Sequence, residues 1–187
     1  MTSALVPAST FNAETDFQLA PTQESRRAIT TQGKQMVLGF PSLEAKPIID
    51  RYNRPMLIVT QTPEVVSVLE AVRERCIQKL GIKGEEMRPI LSAGRGLLNQ
   101  RKSLFLSISP QAVLKDVNGA KVDFTSLVKS TCKFVAFVHV AHVYKGDDNV
   151  YSLQLKVSQL MLQSKSAEYV EVEQIQVDEF DVGTLNL

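Results

Sequence analysis

Two consecutive runs, Lys133–Tyr144 and Val150–Leu162, constrain this chain more than any other part of it. The first is dense in β-branched and aromatic residues. Phe134, Ala136, Val138, Val140, His142 and Tyr144 alternate with Val135, Phe137, His139, Ala141 and Val143. Both sets begin apolar, so the spacing predicts a strand covered on both faces. Lys145–Asn149 is a polar loop, after which the chain returns. Tyr151, Leu153, Leu155 and Val157 point one way, and Ser152, Gln154, Lys156 and Ser158 the other. Leu160 and Leu162 then fall on the formerly polar face, and a β-bulge near Gln159 explains the slip.

The rest of the body reads more simply. Lys34–Phe40 is a short strand, and Met56–Thr60 is a second, set up by the turn-prone Arg51-Tyr52-Asn53-Arg54-Pro55. A helix over about 64–80 follows, with Thr62 as N-cap and Pro63 at its first position. Val65, Val68, Leu69, Val72, Cys76 and Leu80 give it one apolar stripe. Arg73, Arg75 and Lys79 lie away from that stripe, where cations suit the helix dipole; Gly81 or Gly84 ends the helix. Leu104–Ser109 is a third strand, stopped by Pro110, and Asn118-Gly119 marks a hairpin turn. Asp123–Lys129 reads as a short helical turn. The total is five or six strands, mostly antiparallel, with one helix between the second and third. That pattern predicts a β-rich α+β fold, a small antiparallel β-barrel with one inserted helix.

The organisation expected is an N-terminal arm (1–32), one domain (33–165) and an acidic C-terminal tail (166–187). Pro7 and Pro21 interrupt any helix in the arm. Either Phe11 and Phe17 anchor it on the body or on a neighbouring subunit, or it is a disordered leader. Residues 1–20 lack the pattern of a secretory signal, and no apolar run approaches a membrane span. Cys76 and Cys132 lie in apolar-patterned segments and read as two buried thiols in a reducing compartment, with one disulfide as the lesser alternative.

Catalytic and metal chemistry find little support. His139 and His142 are the only histidines, and a separation of three puts them on opposite faces of an unbroken strand. The cysteines form no C-x-x-C, and Gly94-Arg95-Gly96 lacks the spacing of a phosphate loop. Asp147-Asp148 sits with Gly146 and Asn149, and turn chemistry accounts for it. The reading is a non-enzyme with no cofactor and no metal.

Charge is more informative. The net +1 conceals −1 in residues 1–30, +8 in residues 31–165 and −6 in residues 166–187. A basic body with an acidic tail suggests a polyanion binder whose tail competes for the same surface, although acidic ends are also simply solvated. Single-strand binding needs cations along a phosphate path and flat rings for bases. The candidate cations are Arg51, Arg54, Arg88, Arg95, Arg101 and Lys102; the candidate rings are Tyr52, Phe105, Tyr144 and Tyr151. The three strand rings serve a core as readily as a platform. Tyr52, in a polar turn between two arginines, is expected to be exposed.

Three stretches resemble single-stranded-DNA-binding proteins of large DNA viruses and phages. They are Arg54–Pro63, with its Gln61-Thr62-Pro63 ending, Leu114–Val128, and Lys133–Gln163. The resemblance implies an OB-like barrel, an inserted helix and an acidic tail that shields the groove and binds replication proteins. It implies a protein that coats and protects single strands during replication in the cytoplasm of an infected cell, with DNA favoured over RNA and a homo-oligomer left open. This chain ends Gly183-Thr184-Leu185-Asn186-Leu187, where that family ends on an acidic or aromatic residue. The alternatives are a phage RNA-binding protein acting on mRNA and a structural or scaffolding protein of a virus or phage.

Overall fold

Four long strands follow from the alternating patterns, and each is longer than its local signals suggest. The computed structural model describes residues 3–21, 26–59, 63–93 and 102–166. In chain order the strands are β1 (Ser3–Pro7), β2 (Gln18–Leu19), β3 (Arg26–Thr31), β4 (Lys34–Ile49), β5 (Pro55–Val59), β6 (Ser92–Ala93), β7 (Lys102–Asp116), β8 (Cys132–Lys145) and β9 (Tyr151–Lys165). One α-helix, α1 (Pro63–Leu80), stands between β5 and β6 among the described residues. None of the described helices is long and apolar enough to cross a membrane.

The β8–β9 hairpin forms as the alternation predicts. Its ladder runs from Cys132 opposite Lys165 to Lys145 opposite Tyr151. Phe137 pairs with Gln159 and Val138 with Val157, so Ser158 is the extra residue of a bulge, beside the position expected. The Ser158 hydroxyl donates to the Phe137 carbonyl at 3.2 Å. The loop closes by turn chemistry: Gly146 donates to the Val150 carbonyl at 2.9 Å, and Asp148 accepts from the Val150 N–H at 3.1 Å.

Prolines interrupt ladders here without ending strands. The β4–β8 register shifts between Phe40 and Leu43, where Pro41 has no N–H to give. The β7–β9 register shifts between Ile108 and Val113, which absorbs Pro110, so β7 continues to Asp116 instead of stopping at Ser109. The turn at Asn118-Gly119 is present, closed by Asp116 N–H to the Ala120 carbonyl at 2.9 Å. A 3-10 turn at Phe124–Leu127 follows, with the Asp123 side chain accepting from Thr125 N–H.

Helix α1 buries Val65, Leu69, Val72 and Cys76, at alternating spacings of four and three. It ends at Gly81, whose φ of +65° a side chain would oppose. Ile82 N–H bonds the Ile77 carbonyl and Gly81 N–H the Gln78 carbonyl, a Schellman cap. The expected N-cap, Thr62, lies outside the described residues. The stripe packs into one core with Met36, Leu38, Leu43, Leu57, Leu106 and Phe134. Cys76 and Cys132 are free and buried, and burial pushes the Cys76 thiol up to about 12.

The small antiparallel barrel is not what forms. Eight strands follow one another in the order β1-β4-β5-β7-β9-β8-β3-β2, with β6 paired to β7. The sheet is mixed, with parallel ladders at β1–β4 and β7–β9, and its path ends on β1 and β2. Strand β4 is also bonded to β8 and, at its start, to β3. Residues 3–31 account for much of the difference: they supply three strands that no local period reveals. Phe17 is buried in the core and Phe11 packs against it. Leu5 lies over Gly39, where an added Cβ would come within 3.1 Å of its Cδ1. At the other end, Ser166 N–H bonds the Thr131 carbonyl; the acidic segment from Ala167 on lies outside the described residues.

Candidate nucleic-acid interface

One face of the sheet is turned away from the core, and strand phase decides what it carries. On β8 the buried residues are Phe134, Ala136, Val138, Val140 and then Val143. Val140 pairs with Leu155 and His142 with Gln154, so Ala141 is an extra residue that flips the phase. Phe137, His139, His142 and Tyr144 therefore share the outer face, and the two histidines are not on opposite sides. Residues directly opposite across a ladder share a face. Lys156 is opposite His139, Gln154 is opposite His142, and Arg26 on β3 is opposite Tyr144. On β7, Leu104 and Leu106 are buried, while Phe105 and Ser107 alternate with them. Ser107 stands opposite Lys156 on β9 and Met56 on β5.

A groove of about 640 Å³ opens beside this face, and Leu104, Leu153 and Leu155 of the core-facing phase line it too. Phe105, Ser107, Tyr144 and Gln154 line it on the sheet side, and the stretch from Arg88 to Leu91 forms its other wall. Phe105 and Tyr144 are half-buried. The His142 ring meets the Tyr144 ring edge-on, 6.1 Å between centroids and 68° between planes.

The wall is pinned from α1. The Arg73 guanidinium donates to the carbonyls of Gly84 at 2.7 Å, Met87 at 2.9 Å and Arg88 at 3.0 Å. Glu74 at 2.9 Å and Glu70 at 3.6 Å hold the same group. Met87 is buried in the core, and Arg88 N–H bonds the Tyr151 carbonyl at 2.8 Å. The Arg88 side chain reaches across to form an ion pair with Asp148 in the β8–β9 loop. A phosphate approaching Arg88 thus competes with a carboxylate already in place.

The arginine-rich turn borders the same face, since β5 leaves it at Pro55 and Met56 follows. Tyr52 is 62% exposed, as expected. Its ring is not bare: the Arg51 and Arg54 guanidinium carbons lie 4.7 and 5.0 Å from its centroid. Arg51 donates to the Tyr52 hydroxyl at 2.6 Å, and Arg54 pairs with Asp50 at 2.7 Å. Asp50 also accepts the N–H groups of Tyr52 and Arg54. The Arg54 side-chain bond, foremost, holds the Asp50 carboxyl below the usual carboxylate range.

The expected residues thus divide. Arg88, Phe105 and Tyr144 meet in the groove, and Arg51, Tyr52 and Arg54 form a separate cluster in the turn. Tyr151 packs against the core, with Lys145 Nζ 5.5 Å from its ring centroid. Lys102 opens β7, three residues before Phe105; its side chain, and all of Arg95 and Arg101, lie outside the described residues. Sequence reasoning missed Arg26, His142 and Lys156 as members of this face. Lys156 was visible in the polar set of β9; the other two depended on strand pairing and on the bulge.

Burial lowers the pKa of both His139 and His142, and for His142 the nearby charges of Arg26 and Lys156 add to it. Among the described residues no group of three or more His, Cys, Asp or Glu is placed to hold a metal.

No family model matches this chain, and no curated protein sequence matches it. In structure it is similar to phage single-stranded-DNA-binding proteins. One of them is the single-stranded DNA-binding protein from bacteriophage Enc34, at 6% identity and a TM-score of 0.50, covering 88% of this chain and 99% of that chain. The same phage protein in complex with ssDNA aligns at 5% identity and a TM-score of 0.47, covering 81% and 98%. The likeness is one of fold.

Proposed function

We propose that this chain binds single-stranded nucleic acid along the outer face of its sheet, without catalysing a reaction. Bases lie against Phe105 and Tyr144, and phosphates follow Arg88 and the cations that flank the groove. The observation that carries this reading is the groove itself. Two half-buried rings and a surface arginine, from three separate stretches of chain, line one trough beside Ser107 and Gln154. The fold likeness to the Enc34 protein, named for binding single-stranded DNA, supports it and favours DNA over RNA. On this reading the protein coats single strands during phage or viral replication in the infected cell. Arg95, Arg101 and Lys102, which precede or open β7 in the sequence, are the further cations this reading assigns to phosphate. The segment 166–187, with six acids and no base, competes for those cations or recruits replication proteins.

A salt titration against labelled DNA and RNA oligonucleotides of matched length tests this. The expected result is micromolar or tighter binding, with log affinity falling by about 0.7 per phosphate neutralised for each decade of salt. Removing 166–187 should raise affinity, most at low salt. A folded protein that binds neither polymer would leave a structural or scaffolding role instead.

Tyr52 provides a second, local test. Its exposure makes Tyr52→Ala close to neutral for stability, within about 0.5 kcal/mol. Oligonucleotide affinity should fall by about 1–3 kcal/mol, and Tyr52→Phe should retain most of it, because stacking needs the ring. A large drop in melting temperature with unchanged affinity would remove Tyr52 from the interface.

A further inference from the structure

The bulge at Ala141 brings together two groups that an unbroken strand would separate. His139 and His142 both face away from the core and are both half-buried. Among the described residues, the strands around them present few charges on this face, and those are cations. Strand β9 brings Lys156 opposite His139 and Gln154 opposite His142. Strand β3 brings Ala28 opposite His142 and Arg26 opposite Tyr144. Strand β4 sets neutral Val37 opposite His139, with Leu5 of β1 beyond it, and β7 sets Ser107 beside Lys156. On β8 itself the neighbour is the Tyr144 ring.

We propose that His139, His142, Arg26 and Lys156 form a phosphate subsite on the nucleic-acid path, one whose grip tightens as the pH falls. The inference rests on the single-strand reading above and adds to it the residues and the proton. Two fixed cations beside two imidazoles suit a phosphodiester, which accepts hydrogen bonds and carries the missing negative charge. In the free protein, partial burial keeps both imidazoles neutral at lower pH than usual, and for His142 the charges of Arg26 and Lys156 add to it. A bound phosphate offsets part of the cations' charge and accepts hydrogen bonds from the protonated rings, so their pKa values rise on binding and binding takes up protons. The sign follows: affinity rises as pH falls through the raised bound-state pKa values, and levels off below the lowered free-state ones. Because the chain has only these two histidines, side-chain titration between about pH 5.5 and about pH 8 points to them.

The test is binding of single-stranded oligodeoxythymidylate, whose bases do not titrate in that range, to the full chain and to the H139Q/H142Q double variant. Affinity of the parent should rise about tenfold per histidine between about pH 8 and about pH 5.5. The salt slope should steepen by about 0.7 over the same interval, the value for one phosphate more fully neutralised. The double variant should lack the rise. Calorimetry of the parent in buffers of different ionisation heat should show proton uptake on binding, a readout that does not depend on the variant folding. A flat affinity and no proton uptake in the parent, or a rise that persists in the folded variant, overturns the subsite while leaving the single-strand reading intact. No binding at any pH overturns both.

Discussion

Replacing Phe105 and Tyr144 together by alanine is expected to cost about 2–6 kcal/mol of single-strand affinity, about 1–3 kcal/mol per ring, in a protein that still folds. Both rings line the groove, and both stand on the outer face, alternating with core residues on their strands. Leu104 and Leu106 carry the packing of β7, and Val140 and Val143 that of this end of β8. The alanine changes therefore remove stacking surface with a smaller loss of core. If one base lies against both rings, the double variant should lose less than the sum of the singles. Tyr144→Phe keeps the ring and should bind nearly as the parent does. Fluorescence anisotropy at fixed salt measures the affinities, and circular dichroism checks the fold. Unchanged affinity in a folded double variant would show that the groove is not the binding path.

Arg73→Met should destabilise the protein by about 2–4 kcal/mol, read as a fall in melting temperature of about 5–15 °C. The Arg73 side chain is 13% exposed, and its guanidinium donates to three backbone carbonyls of the stretch from Gly84 to Arg88. Methionine keeps much of the aliphatic bulk and removes every donor, leaving those carbonyls to find water or remain unpaired. Arg73→Lys should recover only part of the loss, because one ammonium cannot reproduce a planar fork aimed at three acceptors. Oligonucleotide affinity should also fall, since Arg88 and the wall beside it lose their tether to α1. A variant with parent stability would mean that this stretch is held by Met87 and the Tyr151 carbonyl alone.

Arg73 illustrates how far local reasoning reaches. Its position off the apolar stripe suggests only a cation suited to the helix dipole. The residues it serves lie 11 to 15 positions further on, and no helical period refers to them. Tyr52 is the opposite case. A polar turn between two arginines implied exposure, and exposure followed, because the determinants are within two residues of it. What the turn did not reveal was that both guanidiniums would lie against the ring. The aromatics of the strands divide along the same line. Phe105 and Tyr144 reach the groove and Tyr151 packs on the core, and alternation alone could not say which face would be covered.

The sequence by itself determined the long β8–β9 hairpin and its bulge beside Gln159, helix α1 with its stripe and glycine stop, the turn at Asn118-Gly119, and two buried thiols. Each of these depends on contacts within about one strand or helix length, where side-chain period and turn chemistry are decisive. The tertiary structure alone decided the mixed sheet in place of a small antiparallel barrel, the parallel β7–β9 and β1–β4 ladders, and the strands contributed by residues 3–31. It alone brought Arg26, Lys156 and both histidines onto one face. The physical reason is that a strand's partner and register are chosen by burial against distant segments, and one extra residue, Ala141, reverses which side chains face the core.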